Sequence, residues 1–204
     1  MRGSPWNTLP HLHRTSQISS FRLSKGFPYS HILFSYIPLD TFFLLITKIA
    51  GSYGQLWVVV GAALLIPKKT RRTGIAVLIS YVCVFVFGQF ILKNLFNRPR
   101  PCHIDQAFEM LVKRPTSSSF PSTHSAWAFA GATAIFMKFK KPGIAVFVIS
   151  ALIAFSRMYL FLHFPTDVLC GIIFGIVLGF AADKLCDFIA KKKETDSSSD
   201  STNG

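Results

Sequence analysis

Acidic residues are scarce in this chain: nine Asp and Glu stand against 22 Lys and Arg among 204 residues. Charged residues of either sign make up only 15% of the sequence, whereas half of it is apolar. So little charge argues against an ordinary soluble protein and is typical of an integral membrane protein, here with one domain.

Cysteines are also few, and their positions argue against disulfide bonds and metal sites. Cys83 and Cys170 lie within apolar segments, Cys186 lies near the end of the last one, and Cys102 lies in a polar loop. Because these positions fall at different levels of a bilayer, we expect no disulfide. The adjacent Cys102 and His103 lack a second pair of ligands, so the sequence predicts no metal site.

The N-terminal segment 1–30 lacks the features of a secretory signal. It is polar, with four basic and no acidic residues, whereas a signal has an apolar core near its start and ends at a small-residue cleavage site. We expect 1–30 to be a flexible basic segment, 31–190 to form the transmembrane domain, and 191–204 to be a basic and then disordered tail.

Apolar segments of membrane length occupy the middle of the chain. Four stretches contain no Asp, Glu, Lys or Arg, namely 49–67, 73–92, 142–156 and 168–182. The stretch 73–92 alone supplies the roughly 20 residues that cross a bilayer, and a fifth apolar segment covers 122–137. Segment 31–49 contains Pro38 and Asp40, so either a spanning or an interfacial helix is open to it. The pattern predicts an all-α, polytopic membrane helix bundle of five to six transmembrane helices.

The basic residues outside the apolar segments fall into three loop groups. These are Lys68, Lys69, Arg71 and Arg72, then Lys138, Lys140 and Lys141, and finally Lys191 to Lys193. If the segments alternate across the bilayer, all three groups share one face, which the positive-inside rule makes cytoplasmic. The C-terminus is then cytoplasmic. This placement explains the formal charge of +13 without a nucleic-acid partner.

Small residues recur along the last apolar segment, at Gly171, Gly175 and Gly179. Glycine at every fourth position of a membrane helix lets another helix approach closely. We expect a packing face inside the bundle, with a homodimer interface as the alternative. The oligomeric state stays open.

Three clusters of polar residues lie beside the apolar segments, on the face opposite to the basic loops. They cover 93–101, 121–124 and 156–167. Among their ionisable and hydroxyl side chains, seven form the candidate constellation: Lys93, Arg100, Ser122, His124, Arg157, His163 and Asp167. Because ionisable groups are costly in or at a bilayer, such residues are candidates for a functional site.

The residue types in these clusters suit phosphoryl transfer. The reacting phosphorus spreads negative charge over its oxygens, and Lys93, Arg100 and Arg157 supply the cations that stabilise this charge. Ser122 and the backbone of Thr123 supply hydrogen-bond donors at the start of a predicted helix.

The two histidines can divide the remaining chemical roles, because imidazole changes protonation near neutral pH. Only His163 has a carboxylate partner by sequence spacing, in Asp167 four residues later. A carboxylate fixes the tautomer of an imidazole and stabilises its cation. We therefore predict His163 as the nucleophile and His124 as the acid for the leaving oxygen.

These residues resemble the motifs of the type-2 phosphatidic acid phosphatase superfamily. The chain matches K-x6-R-P at Lys93, Arg100 and Pro101, P-S-G-H at Pro121, Ser122 and His124, and S-R-x5-H-x3-D at Ser156, Arg157, His163 and Asp167. Together the three motifs, in this order, are highly specific. They span 93–167, and the helix pattern resembles the family from about Pro38 to Asp187.

The resemblance implies a phosphohistidine at His163, which Asp167 orients. It implies that His124 protonates the leaving oxygen and then activates water. Lys93, Arg100, Ser122 and Arg157 would hold the phosphate, without a metal or other cofactor. Bacterial members of the family are bundles of six or nearly six helices whose site faces the outer side, so we expect a bacterial inner-membrane protein with an extracytoplasmic site.

One residue departs from the family pattern: the Gly of P-S-G-H is Thr123 here. Glycine lets a backbone N–H come close to a phosphate, and a β-branched side chain restricts that approach. We expect altered efficiency or specificity rather than loss of function.

The sequence thus predicts a membrane phosphatase or pyrophosphatase for a lipid such as undecaprenyl pyrophosphate, phosphatidylglycerol phosphate, phosphatidic acid or diacylglycerol pyrophosphate. Polyprenyl pyrophosphate is favoured only by the family's use in bacteria. A vanadate-dependent haloperoxidase, the related soluble class, is disfavoured by the apolar spans. A catalytically silent lipid-phosphate-binding or transport protein is the non-enzymatic alternative, disfavoured because His124, His163 and Asp167 are all present.

Overall fold

The computed structural model describes residues 29–105 and 110–200, so the predicted flexible segment 1–30 lies almost entirely outside it. Within the described ranges every regular element is helical, which confirms the all-α class. The chain divides into two compact units, Met1–Leu39 and Asp40–Gly204. The first unit is described only as helical backbone from residue 29 to 39, and the site belongs to the second.

The helices follow one another in this order: α1 (Tyr29–Ala50), α2 (Gln55–Leu65), α3 (Arg71–Cys83), α4 (Lys93–Phe96), α5 (Pro101–Ile104), α6 (Thr123–Lys138), α7 (Lys140–Tyr159) and α8 (Pro165–Asp200). A π-helical segment, π1 (Val84–Leu92), joins α3 to α4. The sequence interpretation treated 73–92 as a regular helix. As predicted, a helix starts at Pro165 and has Asp167 in its first turn.

Helix α6 lies at the centre of the second unit. Every residue from Ser125 to Ile135 is buried, and most of them are Ala or Gly, which let neighbouring helices approach closely. Helix α8 uses this space through Gly171, Gly175 and Gly179. A Cβ atom at any of them would come within 2.4 Å of the backbone oxygen of Ser122, Ala126 or Ala130. The predicted glycine packing face inside the bundle is therefore confirmed.

The uncharged stretch 49–67 does not form one helix, so that prediction is wrong. Helix α1 ends at Ala50, α2 begins at Gln55, and the two are bent by 56°. The chain turns because Gly51 and Gly54 adopt φ of 73° and 68°, a region that strains residues with a Cβ atom. The 11 residues of α2 measure about 16 Å, so α1 and α2 together form either a broken span or a re-entrant loop.

Three helical runs in the described ranges are long and apolar enough to cross a membrane: Arg71–Ile104, Lys140–Tyr159 and Pro165–Lys193. The bent pair of α1 and α2 raises the number to four. Helix α6 has 16 residues and is shorter than the usual span of about 20 residues. The protein is thus an all-helical integral membrane protein with three to four candidate spans.

A cluster of charges, here called the opposite end, lies at the end of the bundle remote from Lys93. It consists of Arg72 in α3, Lys138 in α6, and Asp183 and Asp187 in α8. Both cations contact Asp187, with Lys138 Nζ 3.1 Å from its Oδ1. Asp183 is fully buried, and among the described residues its carboxylate has no hydrogen-bond partner, although Lys138 Nζ lies 3.6 Å away. These charges connect three helices.

Helical backbone continues into the predicted tail, because α8 ends only at Asp200. Thr195 Oγ1 donates a hydrogen bond to the carbonyl of Lys191 at 3.1 Å. A helix that packing has already nucleated gains one hydrogen bond for each residue it adds. The described part of 191–204 is therefore helical, where the sequence predicted a basic and then disordered segment.

Candidate active site

A cavity of about 810 Å³ opens at the end of the bundle where π1, the start of α6 and the end of α7 meet. Six of the eight predicted site residues line it: Lys93, Arg100, Thr123, His124, Arg157 and His163. The other two, Ser122 and Asp167, are fully buried behind its wall. The fold thus brings the three sequence clusters to one place.

Arg100 is held by oxygen atoms of a serine-rich loop. Its Nε donates to the carbonyl of Ser117 at 2.8 Å, and Nη2 donates to Ser117 Oγ at 3.0 Å and to the carbonyl of Ser118 at 3.1 Å. Its Nη1 donates to the carbonyl of Leu162 at 3.0 Å and lies 3.1 Å from His163 Nε2. The planar guanidinium is therefore fixed before any ligand binds.

The other two cations are also buried, with Lys93 6% and Arg157 3% exposed. Arg157 Nη2 donates to Thr47 Oγ1 at 2.6 Å, and Nε donates to Ser156 Oγ at 3.3 Å. Removing several like charges from water is costly unless an anion offsets them. Three buried cations around one cavity therefore make it suited to an anion.

The partners of His163 determine where its proton lies. The Arg100 guanidinium can only donate, so His163 Nε2 accepts and the neutral ring carries its proton on Nδ1. Burial, and then the positive charges of Arg100 and Lys93, lower the pKa of His163 to about 4, while the carboxylate of Asp167 acts in the opposite direction. Near neutral pH the ring is uncharged, with an unprotonated Nε2 at the cavity.

The expected contact between His163 and Asp167 is longer than a hydrogen bond, with Nδ1 3.8 Å from Oδ2. The Asp167 carboxylate instead accepts hydrogen bonds from other groups. Arg98 Nη1 donates to Oδ1 at 2.6 Å, while Ser119 Oγ at 2.5 Å and the Phe164 N–H at 3.0 Å donate to Oδ2. Asp167 thus lies beside the imidazole, with its charge balanced by Arg98 and its position set by three donors.

His124 faces the same cavity from the first turn of α6. Its Nε2 lies 3.0 Å from the carbonyl of Gly51, in the loop that breaks α1 from α2. A carbonyl only accepts, so Nε2 carries a proton and the neutral ring has an unprotonated Nδ1. The loop at Gly51 therefore sets the tautomer of this histidine.

The side chains of Ser122 and Thr123 both contact neighbouring side chains. Ser122 occupies the N-cap position of α6, but its Oγ lies 2.9 Å from Ser125 Oγ and makes no capping bond to a backbone N–H. Thr123 Oγ1 donates to Gln89 Oε1 at 3.3 Å. A Cβ atom at Gly88 would lie 3.2 Å from Thr123 Cγ2. The Thr123 side chain thus points at π1, where Gly88 leaves room for it.

The sequence interpretation missed three groups of the site: Arg98, Ser119 and the carbonyl of Gly51. Arg98 stands in the same R-P-R-P run as Arg100, so a second cation two residues earlier was the available signal. Ser119 closes a run of three serines just before the second motif. Nothing in the sequence pattern points to the carbonyl of Gly51, because its role depends on where the helix break falls.

The fold and the cavity define the class: a helical membrane protein with a pocket lined by three buried cations and therefore suited to an anion. A model of the PAP2 superfamily matches residues 74–185, and this chain belongs to that family. The resemblance seen in the motifs is thereby confirmed. An undecaprenyl-diphosphatase of Sulfolobus acidocaldarius is 33% identical over 133 residues, which cover 64% of each chain. The chain thus spans less than two thirds of that curated relative's length.

Solved structures have the same fold. A transmembrane PAP2-type phosphatidylglycerolphosphate phosphatase from Bacillus subtilis superposes with a TM-score of 0.60 at 29% identity, over 75% of this chain and 79% of the other. LpxE from Aquifex aeolicus superposes with a TM-score of 0.58 at 29% identity, over 72% and 87%. These similarities extend the family assignment to the three-dimensional arrangement of the helices.

Proposed function

We propose that this protein is a membrane lipid phosphatase or pyrophosphatase that works through a phosphohistidine at His163. The observation that carries the proposal is the unprotonated Nε2 of His163, which accepts a hydrogen bond from Arg100, in a ring that lines a cavity beside the buried cations Lys93, Arg100 and Arg157. A neutral nucleophile beside fixed positive charge is the arrangement that phosphoryl transfer requires.

In the first step, the bound phosphate takes the place of His163 Nε2 as the acceptor from Arg100 Nη1. The freed Nε2 attacks phosphorus, and the bond between phosphorus and the leaving oxygen breaks. His124 enters this step with a second proton, on Nδ1, gives that proton to the leaving oxygen, and the lipid product leaves. In the second step water attacks phosphorus, His124 takes a proton from it, and the bond to Nε2 breaks. Inorganic phosphate leaves, and both histidines return to their starting protonation states.

The other site residues hold the phosphate in these steps. Lys93, Arg100 and Arg157 balance the charge on its equatorial oxygens, and the backbone N–H of Thr123 at the start of α6 donates to one of them. For Ser122, whose hydroxyl lies behind the wall, the proposed contribution is indirect: its N–H donates to the carbonyl of Asp167 at 3.1 Å and so fixes the start of α6. Side chains supply all the positive charge, so the proposal includes no metal ion and no cofactor.

The substrate class follows from the relatives. The S. acidocaldarius relative is an undecaprenyl-diphosphatase, and the B. subtilis structure is a phosphatidylglycerolphosphate phosphatase. We propose a polyprenyl diphosphate as the substrate, with phosphatidylglycerol phosphate, phosphatidic acid and diacylglycerol pyrophosphate as further candidates. All carry a terminal phosphate on a lipid.

We further propose five to six transmembrane helices, with the site facing the extracytoplasmic side of a bacterial inner membrane. Five helices require α6 and the bent pair of α1 and α2 to cross the bilayer, and six require α1 and α2 to cross it separately. The basic loops support the orientation, since Arg72 and Lys138 lie at the opposite end and positive loops are retained in the cytoplasm. The C-terminus is then cytoplasmic.

The test is phosphate release by detergent-purified protein from undecaprenyl diphosphate and from phosphatidic acid, with chelator present. We expect release by the wild type and loss of about 10³-fold or more in His163→Ala. His103→Ala is the matched control, because His103 Nε2 donates to the carbonyl of Pro115 at 2.9 Å and the ring does not line the cavity. Folded wild-type protein that releases no phosphate, yet binds these lipids, would favour the silent binding protein.

A further inference from the structure

The hydroxyl of Ser119 lies between the two groups that the sequence predicted to contact each other directly. Ser119 is fully buried, and its Oγ is 2.5 Å from Asp167 Oδ2 and 3.5 Å from His163 Nδ1. The direct distance from Nδ1 to Oδ2 is 3.8 Å. The hydroxyl is therefore closer to each of these atoms than they are to one another.

The proton positions agree with a hydrogen-bonded chain through this hydroxyl. Arg100 only donates, so His163 carries its proton on Nδ1. The ionised Asp167 only accepts, so Ser119 donates to it, and a lone pair of Oγ is left to accept from Nδ1–H. At 3.5 Å this second bond is long, as catalytic hydrogen bonds often are before substrate binds.

The backbone around Ser119 fixes where the hydroxyl lies. The Ser119 N–H donates to the carbonyl of Arg98 at 2.8 Å, and the Arg98 N–H donates to Ser118 Oγ at 2.9 Å. The Arg98 side chain in turn donates to Asp167 Oδ1 at 2.6 Å. The loop, the cation and the carboxylate thus form one connected unit behind His163.

We propose that Ser119 is a positioning residue through which Asp167 holds the His163 ring with Nε2 towards the cavity. The proposal rests on the proposed function in that Nε2 is then the attacking atom. When Nε2 bonds to phosphorus, the ring becomes positively charged and Nδ1–H becomes a stronger donor. The hydroxyl passes the stabilising effect of the carboxylate to that charge, and no covalent bond forms at Ser119.

The first test compares Ser119→Ala with Ser150→Ala. Ser150 is also fully buried, and its Oγ donates to the carbonyl of Ala128 at 2.9 Å, away from the cavity. We expect Ser119→Ala to lower kcat about 10- to 100-fold. The KM and the inhibition constant of inorganic phosphate should stay within about twofold, because the three cations remain. Ser150→Ala should leave all three values unchanged. A kcat of Ser119→Ala within twofold of the wild type would overturn the proposal.

A double-mutant cycle separates a connected pair from two independent contributions. If Asp167 acts through Ser119, adding Ser119→Ala to Asp167→Asn should lower kcat by less than about threefold further. A loss of kcat in the double variant equal to the product of the two single losses would contradict the proposal, because it would mean that the residues act independently.

A measurement that needs no turnover separates this proposal from the proposed function. Nitrogen NMR of the His163 ring, assigned by its loss in His163→Ala, should show the Nδ1–H tautomer in both the wild type and Ser119→Ala, because Arg100 still donates to Nε2. The Nδ1–H signal should shift in Ser119→Ala, because the acceptor of that proton is lost. Unchanged ring signals would overturn the positioning role even if the enzyme is active. Absence of phosphate release from the wild type, with the signal shift present, would instead overturn the proposed function alone.

If Ser119→Ala does not fold, Ser119→Thr and Ser119→Val replace it. These two side chains crowd the buried position almost equally and differ by the hydroxyl. We expect Thr to exceed Val in kcat by about tenfold or more. Equal values for the two variants would overturn the proposal.

Discussion

Asp167 and Asp183 lie on the same helix, about 24 Å apart, and both are fully buried. Asp167, at the cavity, accepts hydrogen bonds from Arg98, Ser119 and the Phe164 backbone. Asp183, at the opposite end, has only Lys138 Nζ at 3.6 Å and no hydrogen bond among the described residues. One carboxylate is fixed in direction and the other is only balanced in charge.

We interpret this difference in hydrogen bonding as a functional role for Asp167 and a structural role for Asp183. Hydrogen bonds define the orientation of a carboxylate, which matters when it must act on one atom of a neighbouring ring. A charge pair at longer distance holds helices together with little directional demand, and replacing both of its members is often nearly neutral because desolvation offsets the attraction. Lys138 also keeps its contact with Asp187 when Asp183 is neutralised, so no buried charge is left unpaired. Charge at the cavity should therefore be sensitive to conservative substitution, and charge at the opposite end should not.

The strongest test of this comparison is the same substitution at both positions. We expect Asp167→Asn to lower kcat about 10³-fold or more, because the amide donates where the carboxylate accepts. Asp183→Asn should leave kcat within about threefold of the wild type and leave the melting temperature equal or higher. Purified variants assayed with the same lipid give both values, and similar losses at the two positions would break the comparison.

A pair of arginines repeats the comparison with cations. Arg100→Lys should lower kcat/KM about 100-fold, because an ammonium group cannot replace the bonds to Ser117, Ser118 and Leu162 while facing the phosphate. Arg72→Lys should keep kcat/KM within about twofold of the wild type, since an ammonium can still pair with Asp187. The measurement is steady-state kinetics on both variants. Retention of full activity by Arg100→Lys would show that the guanidinium geometry is unimportant.

The protonation of His163 predicts the acid side of the pH profile. Its pKa is lowered to about 4, mainly by burial, and in the proposed mechanism the neutral ring is the attacking form. We expect kcat/KM to show no loss from His163 down to about pH 5 and to fall about tenfold per unit below pH 4. An acid limb centred near pH 6.5 would contradict this.

The free energy of unfolding should also fall on the acid side of the pH range. The unfolded chain binds a proton at His163 near pH 6.5 and the folded protein only near pH 4. The contribution of the neutral ring to stability is therefore complete above pH 6.5 and is lost as the pH falls through 4. Melting curves at each pH distinguish this loss of folded protein from the loss of rate.

The smallest effect is expected at Thr123. Its side chain packs on Gly88 and donates to Gln89 rather than reaching the phosphate. Thr123→Gly should keep the activity or raise it by up to about threefold, because the backbone N–H gains freedom to approach the anion. Kinetics with two lipid substrates would detect a change in preference. An inactive but folded Thr123→Gly enzyme would show that the hydroxyl contributes to the site.

The sequence predicted the parts of the site that depend on residue type and order. Lys93, Arg100, His124, Arg157 and His163 meet at one cavity as the motifs indicate. The glycines of α8 and the start of that helix at Pro165 also follow from local rules that hold in any context.

The parts that could not be predicted depend on geometry across the fold. The helix break at Gly51 and Gly54 lies within an uncharged stretch of spanning length, and the periodicity of the apolar residues does not reveal a break there. The hydroxyl of Ser119 takes the place of a direct bond between His163 and Asp167 because the two side chains stop 3.8 Å apart, a distance that sequence spacing does not contain.

The most direct test of the central claim is to trap the covalent intermediate. Protein mixed with lipid carrying a labelled terminal phosphate is denatured in alkali within the first turnover, where phosphohistidine survives. We predict label on the wild-type peptide that contains His163 and none on His163→Ala. In His124→Ala the label should form more slowly, because the leaving oxygen lacks its acid, and should also be lost more slowly, because water lacks its base. Turnover by the wild type without any label on that peptide, or label retained by His163→Ala, would contradict the account.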